Sequence, residues 1–215
     1  MAYYNMALDE ALKDAQKLGY AEADPINDLE GFDAASKLGI LGSIAFHQRI
    51  RPEDVYREGI SGLEPQDFRY AQELAYAIKP LAIATHENGA ISARVHPALI
   101  PVDHMLAKVD GVYNAVEVEG SLCGKVLFHG MGAGRESTTS AVIGDLIDIS
   151  RNMVAHYASG AGGRCLQDDN TNASLRYWEY GEAKPIRSMG DLTCRYYLRL
   201  NVSDQPGVLA LIANV

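Results

Sequence analysis

Residues 81–97 read LAIATHENGAISARVHP, and this stretch decides the fold class. Apolar and β-branched residues flank Asn88-Gly89, a pair suited to the left-handed backbone of a two-residue hairpin turn. The spacing predicts strand, turn, strand. Further on, YNAVEVEG (113–120) and GKVLFHG (124–130) read as two more strands. In the first, Val116 and Val118 alternate with Glu117 and Glu119, which predicts one covered face and one polar face. Helices surround these strands: residues 5–18 with Leu8, Ala11, Leu12, Ala15 and Leu18 on one side, 33–46 with Ala34, Leu38, Leu41 and Ala45 at helical spacing, about 63–78 ended by Lys79-Pro80, 104–108, and 138–153. Helices before and between antiparallel strands predict an α+β fold, a mixed β-sheet with helices packed on one face. Internal repeats and low-complexity tracts are absent from the sequence.

Composition bounds the partners. The 215 residues are 47% hydrophobic and 22% charged, enough to bury a substantial core. Nineteen basic against 28 acidic residues give a formal charge of −9, and with no basic cluster this argues against nucleic acid or an anionic membrane as the main partner. No stretch approaches the roughly 20 apolar residues of a membrane span. The first residues lack the basic-then-apolar plan of a signal peptide, so a cytoplasmic protein is expected. Cys123, Cys165 and Cys194 are odd in number and far apart, which suggests buried reduced thiols rather than disulfides or zinc. His47, His86, His96, His104, His129 and His156 lack metal-ligand spacing and read as structural or exposed.

The polar chemistry concentrates in residues 19–41, GYAEADPINDLEGFDAASKLGIL. Glu22, Asp24, Asp28 and Glu30 crowd a loop broken by Pro25 and Gly31, and Asp33 and Lys37 then stand four residues apart on one helical face. Such a pair commonly decorates a solvated surface. Here, however, Lys37 lies in the apolar, small-residue run AASKLGILGSIAF, and a lysine on a mostly buried helix needs partners. A second element, Gly130-Met131-Gly132-Ala133-Gly134, joins a strand to a helix. It fails the dinucleotide fingerprint because Arg135 occupies the position of the last glycine. Two readings stay open: backbone approach to a ligand at a helix N-terminus carrying Ser137, Thr138 and Thr139, or a tight turn that needs small residues for packing.

The run GYAEADP, then Asp28, then G-x-D-A-A-x-K-L resembles the signature of homoserine dehydrogenases. The segment G-x-G-A-G followed by a Ser/Thr-Ala-Val-x-x-Asp-Leu helix resembles the part of that family that closes onto the cofactor. The resemblance implies NAD(P)-dependent interconversion of L-homoserine and L-aspartate 4-semialdehyde, in threonine and methionine biosynthesis. It assigns Glu22 and Asp28 to substrate binding, Asp33 to the catalytic neighbourhood, Lys37 to proton transfer, and Gly19, Gly132 and Gly134 to cofactor contact. No metal is implied. The implied fold is that of the C-terminal domain of glyceraldehyde-3-phosphate dehydrogenase, in a homodimer.

Residues 159–174, SGAGGRCLQDDNTNAS, read as a loop or linker. The following RYYLRLNV (195–202), with Ser203-Asp204-Gln205-Pro206-Gly207-Val208-Leu209, looks like the opening strand, turn and helix of an ACT domain. The implied division is 1–155 for the catalytic, substrate-binding and dimerisation domain, 156–192 for a linker partly completing it, and 193–215 for an ACT fragment. The resemblance spans about residues 5–215 and corresponds to the later part of the family. Its nucleotide-binding domain, which carries a glycine fingerprint and a second lysine, has no counterpart in the sequence. A fragment inactive alone is therefore expected, with a non-enzymatic dimerisation or amino-acid-binding module as the alternative.

Overall fold

The structure, a computed structural model, describes residues 6–18, 24–132, 134–156, 186–203 and 205–214. The hairpin forms as its turn dictates. Strands β2 (Tyr76–Glu87) and β3 (Ala90–Pro101) pair antiparallel from Tyr76↔Pro101 to Glu87↔Ala90. Asn88 and Gly89 both have positive φ, 52° and 77°, the geometry that matches the twist of adjoining strands. A short β1 (Tyr56–Arg57) lies parallel to β3 on its other edge, so the sheet is mixed with order β1-β3-β2.

Helix α3 (Phe32–Phe46) packs on this sheet. Alternate residues of β3, Ile91, Ala93 and Val95, meet Ala35 and Leu38 of α3 together with Ile50 and Val55 in the buried core. The face of α3 differs from the one expected from apolar spacing. Its buried residues are Ala35, Leu38, Gly39, Gly42 and Ser43, while Leu41 is 47% exposed and Ala45 is also exposed. Close approach explains the choice. A Cβ on Gly42 would lie 2.8 Å from Ile50 Cδ1, and one on Gly39 would lie 3.0 Å from Ile50 O. The small face therefore wins the contact and the larger Ile40, Leu41 and Ile44 remain outside. Buried Ser43 is satisfied: its hydroxyl donates to Gly39 O at 2.6 Å and accepts from Ile50 N–H at 2.8 Å.

Helix α1 (Leu8–Lys17) half-buries Leu8, Ala11, Leu12 and Ala15, whereas Leu18 is exposed. A four-residue α2 (Ile26–Leu29) precedes α3. Helix α4 (Pro65–Glu73) starts at a reciprocal cap in which Glu64 N–H donates to the Asp67 carboxylate at 2.8 Å. It ends five residues before the expected Ile78. Ala75 takes positive φ, 61°, and turns the chain into β2, where Tyr76 finds Pro101 as partner. Pro80 thus lies inside a strand. It faces Pro97, and two directly opposed prolines need no N–H between them when they occupy a non-hydrogen-bonded pair of the ladder.

Strands β4 (Tyr113–Gly120) and β5 (Gly124–Met131) form a separate antiparallel ribbon. The face expected to be covered is open. Val116↔Phe128 and Val118↔Val126 share one face, and these residues are exposed. Glu117 is instead the more covered side chain, held by Lys125 at 3.2 Å and approached by His104 at 3.6 Å. His104 caps the short 3-10 turn Met105–Lys108, so Glu117 faces that turn, while Glu119 on the same side stays exposed. Helix α5 (Arg135–His156) follows, longer than the predicted 138–153 and with Val142, Ile143, Leu146, Ile147, Ile149, Met153 and Val154 all exposed.

Beyond residue 185, Ile186 makes an isolated parallel bridge with Ile91, and Arg187 N–H donates to Ile91 O at 2.7 Å. Residues 195–202, expected as a strand, form no ladder among the described residues. Side chains hold them instead: Tyr197 donates to Asp67 at 2.9 Å, and Arg199 pairs with Asp67 at 2.9 Å and with Glu64. Burial and the Asp67 carboxylate raise the Tyr197 pKa. The turn at Gly207, with φ 92°, leads into α6 (Val208–Ala213) as anticipated. Cys123 and Cys194 are free and exposed rather than buried, the first in the β4–β5 turn and the second in the C-terminal segment. Cys165 and the 159–174 loop lie outside the described residues.

Candidate functional site

The candidate site is built around the start of α3. Gly31 adopts a left-handed conformation, φ 73°, immediately before the helix, and a Cβ there would lie 2.9 Å from Val95 Cγ1. Glycine is therefore needed twice, for conformation and for contact with the sheet. This fixes where α3 begins. One turn in, Lys37 Nζ and Asp33 Oδ2 form an ion pair at 2.5 Å. The spacing expected from the sequence is realised, but the environment is not: the lysine side chain is 66% exposed and the aspartate 45%. Lys37 shares its helical face with Ile40, Leu41 and Ile44, all exposed, which explains how an apolar run leaves its lysine open.

Asp28 sits in α2 and is exposed. Among the described residues no hydrogen bond or ion pair engages its carboxylate, and none joins it to Asp33 or Lys37. Asp24 caps the same short helix by accepting from Ile26 N–H at 3.2 Å. Glu22 and Gly19 lie outside the described residues. The structure thus pairs Asp33 with Lys37, places Asp28 on the adjoining segment, and says nothing of the other two.

The glycine turn belongs to a different part of the molecule. Gly132 is packed so tightly that a Cβ would meet Asn114 Nδ2 at 1.8 Å, and its N–H donates to Val112 O at 2.9 Å. Gly134, φ 136°, accepts at its carbonyl from Ser137 Oγ at 3.0 Å and from Thr138 N–H at 3.1 Å. Packing against Asn114 accounts for the small residue at 132; positive φ accounts for the one at 134. Among the described residues no hydrogen bond or ion pair links this turn to α3. A mostly apolar depression along α5, lined by Ile143, Leu146, Ile147 and Val154 with Ser150 and Arg151 beside them, includes no residue of the Asp33–Lys37 site.

Contacts that hold the acidic segment were not legible in the motif. Ser61 donates to Glu30, Ile60 N–H donates to Leu29 O, and the Arg57 guanidinium lies 3.7 Å from the Phe32 ring centroid. No periodicity connects residues about thirty positions apart, so spacing offers no signal for them. Nearby, Arg51 and Asp54 form a two-pronged pair at 2.9 Å on both arms, and Arg51 lowers the Asp54 pKa.

The homoserine dehydrogenase family model matches residues 1–147. The chain belongs to the homoserine dehydrogenase family. It is 47% identical over 208 residues to homoserine dehydrogenase from Mycobacterium tuberculosis, covering 94% of this chain and 44% of the relative. Against the Corynebacterium glutamicum enzyme the identity is 46%, over 96% of this chain and 44% of that one. The chain thus spans about 44% of the length of these curated relatives. A solved homoserine dehydrogenase from Thiobacillus denitrificans superposes with a TM-score of 0.80 at 40% identity, over 100% of this chain and 47% of that chain. A hyperthermophilic archaeal homoserine dehydrogenase solved in complex with NADPH gives a TM-score of 0.51 at 29% identity, over 66% of this chain and 40% of that chain. The α+β architecture, with its mixed sheet and helices, is that of these homoserine dehydrogenase structures.

Proposed function

We propose that this chain forms the substrate-binding and proton-transfer wall of an NAD(P)-dependent homoserine dehydrogenase, acting between L-homoserine and L-aspartate 4-semialdehyde. The observation that carries the reading is the Asp33–Lys37 pair at 2.5 Å, open to solvent and one turn into a helix entered from an acidic segment. The amino-acid substrate brings an ammonium, which Asp28 and Glu22 bind by charge-assisted hydrogen bonds. Lys37 Nζ gives a proton to the oxygen that becomes the homoserine hydroxyl, and removes it in the oxidative direction. Asp33 keeps the lysine oriented between the two.

The nicotinamide supplies or accepts the hydride when bound. For its binding, the N-terminus of α5 with Gly134 fits a polar or anionic group. Gly132 and Gly19 complete the proposed contact, Gly132 through its backbone because Asn114 fills the space beside it. The exposed stripe of Ile40, Leu41 and Ile44 beside Lys37 fits a site whose facing wall is supplied by another part of the enzyme. The uncovered Val116, Val118, Val126 and Phe128 face supports a homodimer. The division at 155 and 192, the cytoplasmic setting, the role in threonine and methionine biosynthesis, the glyceraldehyde-3-phosphate-dehydrogenase-like domain and the ACT opening belong to the same reading; the Gly207 turn into α6 supports the last.

The exposure of Lys37 favours a second reading, a dimerisation or amino-acid-binding module in which the pair is a surface ion pair. Separate calorimetric titrations distinguish them. Homoserine binding without NADPH binding fits a substrate wall, and binding of neither fits a structural role in dimerisation. In a whole enzyme, Lys37→Ala lowers kcat by on the order of 10² to 10⁴; an unchanged rate removes Lys37 from the chemistry.

A further inference from the structure

We propose that residues 58–61 act as a strap that fixes the acidic segment, with Glu30, Gly59 and Ser61 as positioning residues for the Asp28 carboxylate. The inference rests on the substrate-binding reading of Asp28 given above. Helix α2, which carries Asp28, has only four residues; Asp24 accepts from Ile26 N–H at its start, while its N-cap residue Pro25 makes no side-chain cap hydrogen bond. A helix this short does not hold itself, so its direction is set from outside.

Three of the contacts that hold the segment come from one turn, residues 59–61. Ile60 N–H donates to Leu29 O at 2.8 Å, and Ser61 Oγ donates to Glu30 Oε1 at 2.5 Å. Gly59 touches the segment where no side chain fits: a Cβ would meet Glu30 Oε2 at 2.5 Å and Leu29 O at 2.7 Å. The strap is itself rooted in the sheet, because Glu58 N–H donates to Val95 O at 2.8 Å and β1 runs parallel to β3. From the other side, Gly31 rests on Val95, the residue that receives Glu58. Arg57 extends the grip to Phe32, the neighbour of Asp33. Residues 28–31 are therefore held between a strand and the turn that follows β1. The Glu30 carboxylate, engaged by Ser61, serves as the tether, while the Asp28 carboxylate is engaged by nothing among the described residues.

The test uses the whole chain, with Gly59→Ala, Ser61→Ala and Glu30→Gln, followed by amide hydrogen exchange at residues 28–31 and calorimetric titration of L-homoserine. Gly59→Ala is expected to speed exchange and weaken homoserine binding by about tenfold, and Ser61→Ala by about threefold, the size of a lost partly exposed hydrogen bond. Glu30→Gln keeps an acceptor for Ser61 and stays within about twofold of the unaltered chain. Protection at Ile91 reports that each variant is folded. Unchanged exchange in both Gly59→Ala and Ser61→Ala overturns the strap. Faster exchange with unchanged affinity overturns the positioning role. Absence of homoserine binding by the unaltered chain overturns the substrate reading, and the exchange data still decide the strap.

Discussion

The α3–sheet body and the β4–β5 ribbon both carry apolar strand residues and treat them in opposite ways. In the body, Ile91, Ala93 and Val95 of β3 are buried under a helix whose packing face is made of Ala35, Leu38, Gly39, Gly42 and Ser43. In the ribbon, Val116, Val118, Val126 and Phe128 stand exposed, and α5 follows with its apolar side chains exposed as well. The difference lies in what each sheet has next to it. Small residues bring α3 within contact of β3, while the ribbon turns its Glu117 side toward His104 and leaves its valine side without a cover among the described residues. Burial is therefore decided by the partner surface, and the candidate site sits where the body's packed layer meets its open edge.

Matched truncations in the two regions carry the largest expected effect. Ile91→Ala should cost about 2–5 kcal/mol of unfolding free energy, because Ile91 is wholly enclosed and its removal leaves a cavity. Val118→Ala should cost under about 0.5 kcal/mol in the monomer, as is usual for exposed positions. Denaturant titration of both variants checks this, and equal losses would mean that the ribbon face is covered after all. A smaller effect is expected where the C-terminal segment meets the body. Arg199→Met leaves the buried Asp67 with one partner fewer, and should destabilise less than Ile91→Ala while speeding limited proteolysis within residues 192–203. Unchanged proteolysis would show that the segment is held by other contacts.

The smallest effects are electrostatic. The Asp33–Lys37 pair is exposed, so Asp33→Asn should change stability by no more than about 0.5 kcal/mol, measured by thermal melting, whatever it does to binding. Asp54 has its pKa lowered in the folded state by Arg51. Its contribution is therefore present above the ordinary carboxylate pKa of about 3.9 and lost as pH falls through the lower folded value. The melting temperature of Asp54→Asn should converge on that of the parent chain in acid; a constant offset down to the lowest pH would contradict this. Tyr197 has the opposite sign: its raised pKa keeps the neutral form in the folded state, so its contribution holds below about pH 10 and fades as pH rises further.

What could be read from the sequence follows the range of the forces involved. The Asn88-Gly89 turn is local, and the hairpin appeared where it was expected. The alternation in 113–120 gave the strand, but not which face would be covered, because that depends on His104 and the chain around it. The buried face of α3 was misjudged since counting apolar residues favours Leu41, whereas close approach favours Gly39 and Gly42. The helix expected through Ile78 yields to β pairing once Ala75 turns the chain. In the site, the four-residue spacing of Asp33 and Lys37 was legible because it is a helical neighbour relation. The exposure of Lys37 was not, because burial follows from what lies across from a face.

In the proposed function, the segment entering α3 recognises an amino-acid substrate through Asp28, on the segment adjoining the Asp33–Lys37 pair. Isothermal titration of L-homoserine into the chain and into its Asp28→Asn variant tests this recognition. Saturable binding to the parent, weakened about tenfold or more by loss of the carboxylate, is the predicted result; absence of binding, or equal affinity in the two, would contradict it.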